Sequence, residues 1–409
     1  MGDQSKPILS PYRWVILFIM WASTFIGVAA QFQVAALAYK IIPDLKLSLS
    51  QFSMVLSAPM LPAVFFSLPA GALADRFGVK KVVTVGFVFS IIGVYFRYAA
   101  HDFWTLFALM FLAGLSSALL NANVAKLIGA WFPMEQMGTA MGIYFTGAGL
   151  GMTVALATSA LFPSIKSAFT TAGLVILVIG ILWVALVKAK PEGAPDLPAM
   201  PVTKYIGKVA RSKNVWLVGI ALMLFMGCNM AFSGNLSNAL NGVRGIDPKT
   251  AGLMASLVTL GTVVGSFIGP ALSDRIGRIK PFLAPMAILG AVVMYLSWAT
   301  TGGVTWVLLA VLGFLMGVGL PLLMTFPVLL PEIGPVYAGS AGGLIATLQL
   351  IGAFFIPSFI IAPIAGTNFN TLFMLASLSY LLFGLVTLFL PELGAKARAK
   401  LDAGSVKAM

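Results

Sequence analysis

The chain has 409 residues, of which 60% are hydrophobic and 9% charged, with a mean hydropathy of +1.00. A water-soluble domain carries roughly 25% charged residues, and no soluble core hides so much apolar surface, so the bilayer is the expected solvent. The net charge of +13 would suggest nucleic acid in a soluble protein. Here the basic residues sit in short loops between apolar runs, so no nucleic-acid partner is expected and the lipid bilayer is. Cys228 stands alone, which excludes an internal disulfide. Met1 to Pro11 is polar, and the first apolar run continues at spanning length without a small-residue cleavage site, so no cleavable signal peptide is expected.

A spanning helix needs about 20 mostly apolar residues. Runs of that kind, broken by Pro, Gly and charge, are predicted at 14–40, 50–74, 82–100, 103–130, 137–162 and 167–188, then at 214–241, 248–273, 280–300, 303–328, 337–364 and 368–390. Between the sixth and seventh runs, Lys188 to Lys213 holds Pro191, Pro195, Pro198 and Pro201 with six basic residues. The expected division is therefore a first half at 1–188, a linker at 189–213 and a second half at 214–409 ending in a short tail. Pro62, Pro69, Pro321 and Pro327 fall within runs and predict kinks.

Orientation follows from lysine and arginine. With the N-terminus inside, 18 basic residues lie on the cytoplasmic side, 5 on the other, and Arg97 and Lys126 fall within runs. Both termini are thus expected in the cytoplasm and the chain in the cytoplasmic (inner) membrane as a multi-pass protein.

One charged turn occurs twice. Gly71-Ala-Leu-Ala-Asp75-Arg76-Phe-Gly78-Val-Lys80-Lys81 returns as Gly269-Pro-Ala-Leu-Ser-Asp274-Arg275-Ile-Gly277-Arg278-Ile-Lys280, with Asp, Arg and Gly all displaced by 199 positions. In the fifth and eleventh runs, Gly142, Thr146 and Gly151 match Gly343, Thr347 and Gly352 at a displacement of 201. A parallel repeat implies an axis along the membrane normal and a substrate site between the halves. The expected fold is an all-α membrane protein of twelve transmembrane helices in two pseudo-symmetric six-helix halves.

The Gly-x-x-x-Asp-Arg-x-Gly-x-Lys-Lys turn, its weaker copy, twelve runs and a central linker together resemble the major facilitator superfamily over essentially the whole chain. That resemblance implies a secondary transporter working by alternating access, commonly as a proton symporter or an anion exchanger. Met110 stands four residues before Gly114, where many proton-coupled drug exporters carry Arg, and the fifth run lacks their Gly-Pro pair. The glycines at 142, 147, 149 and 151 are similar to those of nitrate/nitrite porters. Arg97, Asn121-Ala-Asn123-Val-Ala-Lys126 and Trp131-Phe-Pro133 are similar to the cyanate and related porters. The second and eighth runs hold no Arg before their terminal turns, which argues against nitrate itself.

All twelve acids can be placed outside the hydrocarbon. No mid-membrane carboxylate is then available as a proton relay or as a counter-ion for a cationic substrate, and the buried charges that remain are positive. A small organic or inorganic anion is the expected substrate; a proton is a candidate coupling ion. The cavity is expected to use Gln31, Asn121, Tyr144, Asn229, Ser233, Thr347 and Gln349, polar side chains near mid-span, with the intramembrane cations Arg97 and Lys126. Gly71, Asp75, Arg76, Gly78, Asp274 and Arg275 are expected to gate the cytoplasmic side, because charge-assisted bonds at such turns can form in one state and break in the other. Neither a cofactor nor a metal is expected, and no phosphate-binding loop suggests ATP drive. A membrane enzyme would need clustered His, Asp, Glu or Cys, and a monomer is expected. The alternative reading is efflux of amphipathic, drug-like compounds.

Overall fold

The computed structural model describes residues 10–191, 206–394 and 396. Among the described residues, twelve helices are long and apolar enough to cross a membrane. In chain order the spans are Arg13–Ala36, Leu49–Phe77 with a 3-10 turn at Ala58–Met60, Val79–Tyr95 closed by the 3-10 turn Phe96–Ala99, Phe103–Asn121 resumed at Val124–Trp131, Met134–Thr158 and Ile165–Leu186. After the linker come Lys213–Arg244, Pro248–Ile276, Lys280–Ala299, Gly303–Leu329, Gly334–Phe355 continued by the π-helical turn Ile356–Ile361 and Ala362–Ala365, and Phe369–Thr387. They are numbered span one to span twelve below. The face carrying the linker is called the linker face, the other the opposite face.

Local sequence explains where the helices begin. On the opposite face, Ser48, Asp102, Ser164, Asp247 and Asn368 cap spans two, four, six, eight and twelve by accepting from first-turn backbone N–H groups. Such caps satisfy donors that have no partner within the helix. On the linker face, span eight ends at Gly277 in the left-handed conformation (φ 72°), which glycine adopts without Cβ strain. Gly78, between spans two and three, also has positive φ (86°).

Glycines decide how closely the helices pack. A Cβ on Gly114 of span four would lie 2.0 Å from the Pro59 carbonyl oxygen of span two, and a Cβ on Gly313 of span ten 2.2 Å from that of Val258 in span eight. Both members of the second contact stand 199 positions after the first, so the repeat covers the contact as well as the turn. Span five meets span one in the same way, with a Cβ on Gly151 2.2 Å from the Phe25 oxygen, and span eleven meets span seven at Gly352, 2.1 Å from the Met223 oxygen. Without a hydrophobic driving force between helices in lipid, such backbone approach is a main source of association.

The two halves touch on the opposite face. Ser50 Oγ of span two donates to the Ser358 carbonyl in the π-turn of span eleven at 2.7 Å, and the Thr153 and Thr259 hydroxyls of spans five and eight meet at 2.7 Å. A Cβ on Gly234 of span seven would strike Leu56 of span two, and one on Gly252 of span eight the Leu156 carbonyl of span five. Toward the linker face, Cβ atoms on Gly71, Gly142, Gly339 or Gly342 would meet nothing within 4 Å among the described residues. The Ser50 and Thr153 hydrogen bonds and the Gly234 and Gly252 contacts join the halves toward the opposite face.

Candidate functional site between the halves

Span seven packs against spans one, two, eight, ten, eleven and twelve, and a few side chains in its middle stay half-accessible. Asn229 is such a residue, and its amide has no hydrogen-bond partner among the described residues. Gln349 of span eleven is also half-accessible and likewise unpartnered among them. In the first half, Tyr144 of span five is buried and donates its hydroxyl to Asn121 Oδ1 of span four at 2.5 Å. The Thr24 side chain of span one reaches the same phenol. Asn121 is itself exposed, so its amide N–H groups remain available while its oxygen is held. An amide presented in this way donates to an anion without carrying a counter-charge.

The other expected cavity residues have different surroundings. Gln31 is buried and spends its amide on the Leu56 carbonyl of span two at 2.9 Å. Thr347 donates to the Gly343 carbonyl one turn back in its own helix. Ser233 is buried with its hydroxyl unpaired. Arg97 does not line the space between the halves. It is 2% exposed in the core of the first half, where Nη1 donates to the Ala30 carbonyl of span one at 2.6 Å and Nε to the Gly93 carbonyl at 3.3 Å. Its guanidinium stands 5.4 Å from the centre of the Phe169 ring in span six. Backbone carbonyls and a ring face solvate it in place of a carboxylate, an arrangement open to arginine's planar fork. Lys126 Nζ donates to the Gly71 carbonyl at 3.3 Å, which ties the end of span four to the first charged turn.

The two turns differ. The Asp75 side chain lies outside the described part of the structure; Arg76 is exposed, beside the Phe77 ring. In the second turn Asp274 and Arg275 are exposed and join no ion pair among the described residues. That turn is braced from the C-terminal segment instead. Glu392 accepts from the N–H groups of Ile279 and Lys280 at 2.8 and 3.0 Å, and Lys396 N–H donates to the Gly277 carbonyl at 3.1 Å.

Three features escaped the sequence reading. The Thr153–Thr259 contact joins residues that look like ordinary helix hydroxyls. Trp21 Nε1 donates to Thr146 at 3.0 Å, pinning span one to span five. The buried hydroxyls of Ser53, Ser57, Ser233 and Ser358, in the parts of spans two, seven and eleven nearer the opposite face, have no hydrogen-bond partner among the described residues. Ser50, Ser53 and Ser57 share one helical face, a spacing the sequence does show.

Twelve spans among the described residues, with the Gly114–Pro59 contact of the first half repeated 199 positions on as Gly313–Val258 in the second, define a polytopic, internally duplicated membrane protein. The family model of the Major Facilitator Superfamily matches residues 14–357 and 232–406, and the chain belongs to that superfamily. A probable nitrate/nitrite antiporter of Thermus thermophilus is 27% identical, covering 91% of this chain and 92% of the relative. A probable nitrate transporter of Staphylococcus aureus is 27% identical over 91% of this chain and 94% of its own. A nitrite extrusion protein of Bacillus subtilis is 23% identical over 79% and 80%. Among solved structures, a bacterial homologue of the human lysosomal transporter Spinster, inward-facing and unoccupied, superposes with a TM-score of 0.70 at 16% identity, covering 93% of this chain and 95% of that one.

Proposed function

We propose that the chain is a secondary transporter that carries a small anion, an organic acid or an inorganic ion such as nitrate or nitrite, across the cytoplasmic membrane by alternating access. The observation that carries this reading is the set of neutral donors facing the interior: Asn229, Gln349 and the Tyr144-held Asn121, with no described carboxylate at their depth. Uncharged donors of this kind can hydrogen-bond an anion, and a site built to hydrogen-bond its ligand rejects analogues that cannot accept. The names of the similar proteins support an inorganic anion over an amphipathic drug. Spans two and eight hold no Arg before their terminal turns, which supports a site whose anion contacts come from amides and argues against nitrate as the preferred ion.

In this reading residues 1–188 and 214–409 rock about the site, with 189–213 as a cytoplasmic linker and both termini inside. The linker face is the cytoplasmic one, and the conformation described is open to the cytoplasm. Lys126 acts at the gate through Gly71, and Arg97 stiffens the first half. The exposed Asp274 and Arg275 belong to the open state of that gate, and Asp75, Arg76, Gly71 and Gly78 engage when it shuts. Coupling to a proton or to a counter-anion remains within the proposal, and the transporter acts as a monomer.

The test is uptake into proteoliposomes holding the purified protein. Nitrate, nitrite and small carboxylates are offered in turn with an imposed proton gradient or an internal counter-anion. Saturable uptake of one anion, lost in Asn229→Leu and Gln349→Leu variants that melt like the wild type, is the expected result. Extrusion of hydrophobic dyes with no anion uptake would replace this reading with the efflux alternative.

A further inference from the structure

Beside the second charged turn, a notch of about 500 Å³ lies between the linker-face ends of spans nine and twelve. Its volume falls in the range of small-ligand sites. Pro281, Pro285 and Ile288 form one wall at helical spacing, and Leu388 faces them. Span nine packs on spans ten and twelve, so this face lies on the outside of the bundle, away from the space between the halves. Ile288 and Leu388 are exposed apolar side chains that need lipid around them. At the top of the notch the apolar helix gives way to Arg278, Lys280 and Lys396.

The charges at this rim do not cancel. None of the three cations joins an ion pair among the described residues. Glu392 stands at the same rim, but both its oxygens are committed. Oε1 accepts from the N–H groups of Ile279 and Gly394, and Oε2 from that of Lys280. Its carboxylate sits at the start of span nine, where the helix dipole favours negative charge, and offsets one of the three cations, leaving the rim net positive. What remains is a positive rim above an apolar channel, at the depth where a helix leaves the hydrocarbon.

We propose that this notch holds an anionic phospholipid, its phosphodiester headgroup among Arg278, Lys280 and Lys396 and its acyl chain along Pro281, Pro285 and Ile288. Basic recesses between helices at a membrane surface recognise such headgroups. The site also connects two pieces of chain. Lys396 belongs to the C-terminal segment, and its backbone N–H holds the Gly277 carbonyl at 3.1 Å. A headgroup shared by Lys396, Arg278 and Lys280 clamps that segment onto the turn between spans eight and nine. Anionic lipid content thereby bears on the gate, whatever solute the protein carries.

The experiment uses the full-length protein in phosphatidylcholine nanodiscs, titrated with phosphatidylglycerol, with bound lipid counted by native mass spectrometry. The wild type retains phosphatidylglycerol, and its melting temperature rises as that lipid is added. In Arg278→Gln/Lys280→Gln/Lys396→Gln the apparent affinity falls at least tenfold and the rise in melting temperature is lost. In pure phosphatidylcholine the two proteins melt together. If the triple variant melts low there, Lys396→Gln alone carries the readout, because that side chain is exposed, and it shows the same weakening at about half the logarithmic size. Equal retention by wild type and variant overturns the proposal, as does equal retention of phosphatidylcholine. Displacement of the lipid by inorganic phosphate also overturns it, since the site would then serve a free anion.

Discussion

Replacing Gly114 with alanine asks span four to carry an atom where span two already has one. The new Cβ would lie 2.0 Å from the Pro59 carbonyl oxygen and 2.6 Å from both its carbonyl carbon and Cα. Ordinary contact begins near 3.4 Å. Span four must therefore retreat by more than 1 Å, and no rotamer can relieve it because every clashing atom is backbone. Overpacking a tight interface costs about 1–3 kcal/mol, and a backbone clash belongs at the upper end. A half of this size loses roughly 2–4 °C per kcal/mol, so the melting temperature should fall by about 6–12 °C. Gly313→Ala repeats the clash against Val258 in the other half and should fall as far. Gly142→Ala is the control: nothing lies within 4 Å, and alanine's better helix propensity is worth about 0.5–1 kcal/mol. Tryptophan fluorescence on heating, in one detergent for all four proteins, makes the measurement. If Gly114→Ala melts with the wild type, or Gly142→Ala falls equally, helix contact through these glycines does not hold each half together.

Ser50→Ala and Thr153→Val each remove a hydrogen bond across the opposite face, worth about 1 kcal/mol. Together they should shift the balance toward opening of that face about 30-fold, read as faster thiol labelling of Ser358→Cys in a Cys228→Ala background; unchanged labelling counts against the closed-face assignment. Arg97→Lys cannot remake both carbonyl bonds and should lower the melting temperature while leaving KM for the transported anion within about twofold. A tenfold KM change at unaltered stability would return Arg97 to the substrate site. Glu332, outside the spans, is pushed up by burial, but hydrogen bonds from Asn214 and Ser212 outweigh this and hold it below the ordinary carboxylate value. Its contribution is complete above the unfolded value of about 4.3 and disappears as pH falls through the lower folded one. Melting temperature should thus drop more steeply with acid in the wild type than in Glu332→Gln, and parallel curves would show the carboxylate to be idle.

Hydropathy placed all twelve spans within a few residues, because length and composition decide whether a segment crosses lipid. It could not see interruptions. Span one stops at Ala36 and a separate short helix runs Ala38–Asp44. Span four breaks at Asn123, whose amide takes the Leu119 carbonyl, and span eleven opens into a π-turn at Pro357. These depend on side chains competing for carbonyls and on neighbouring helices. The candidate site divided in the same way. Asn229 and Gln349 were legible as amides at mid-span. The Tyr144–Asn121 pair was legible only as two residues, since helical spacing relates positions within a span and not between spans. Arg97 shows the limit most clearly. Its charge marked it for function, while the carbonyls that solvate it belong to Ala30 and to its own helix.

The unpaired hydroxyls of Ser53, Ser57, Ser233 and Ser358 give the closed face a dependence on water itself. Among the described residues these buried groups have no protein partner, and a hydroxyl so placed gains where solvent can reach it. Opening that seam would admit solvent to them. Solutes excluded from so narrow a seam, such as sucrose, should hold the protein in the conformation described. Osmotic stress becomes a lever on its conformational equilibrium, independent of any ion gradient.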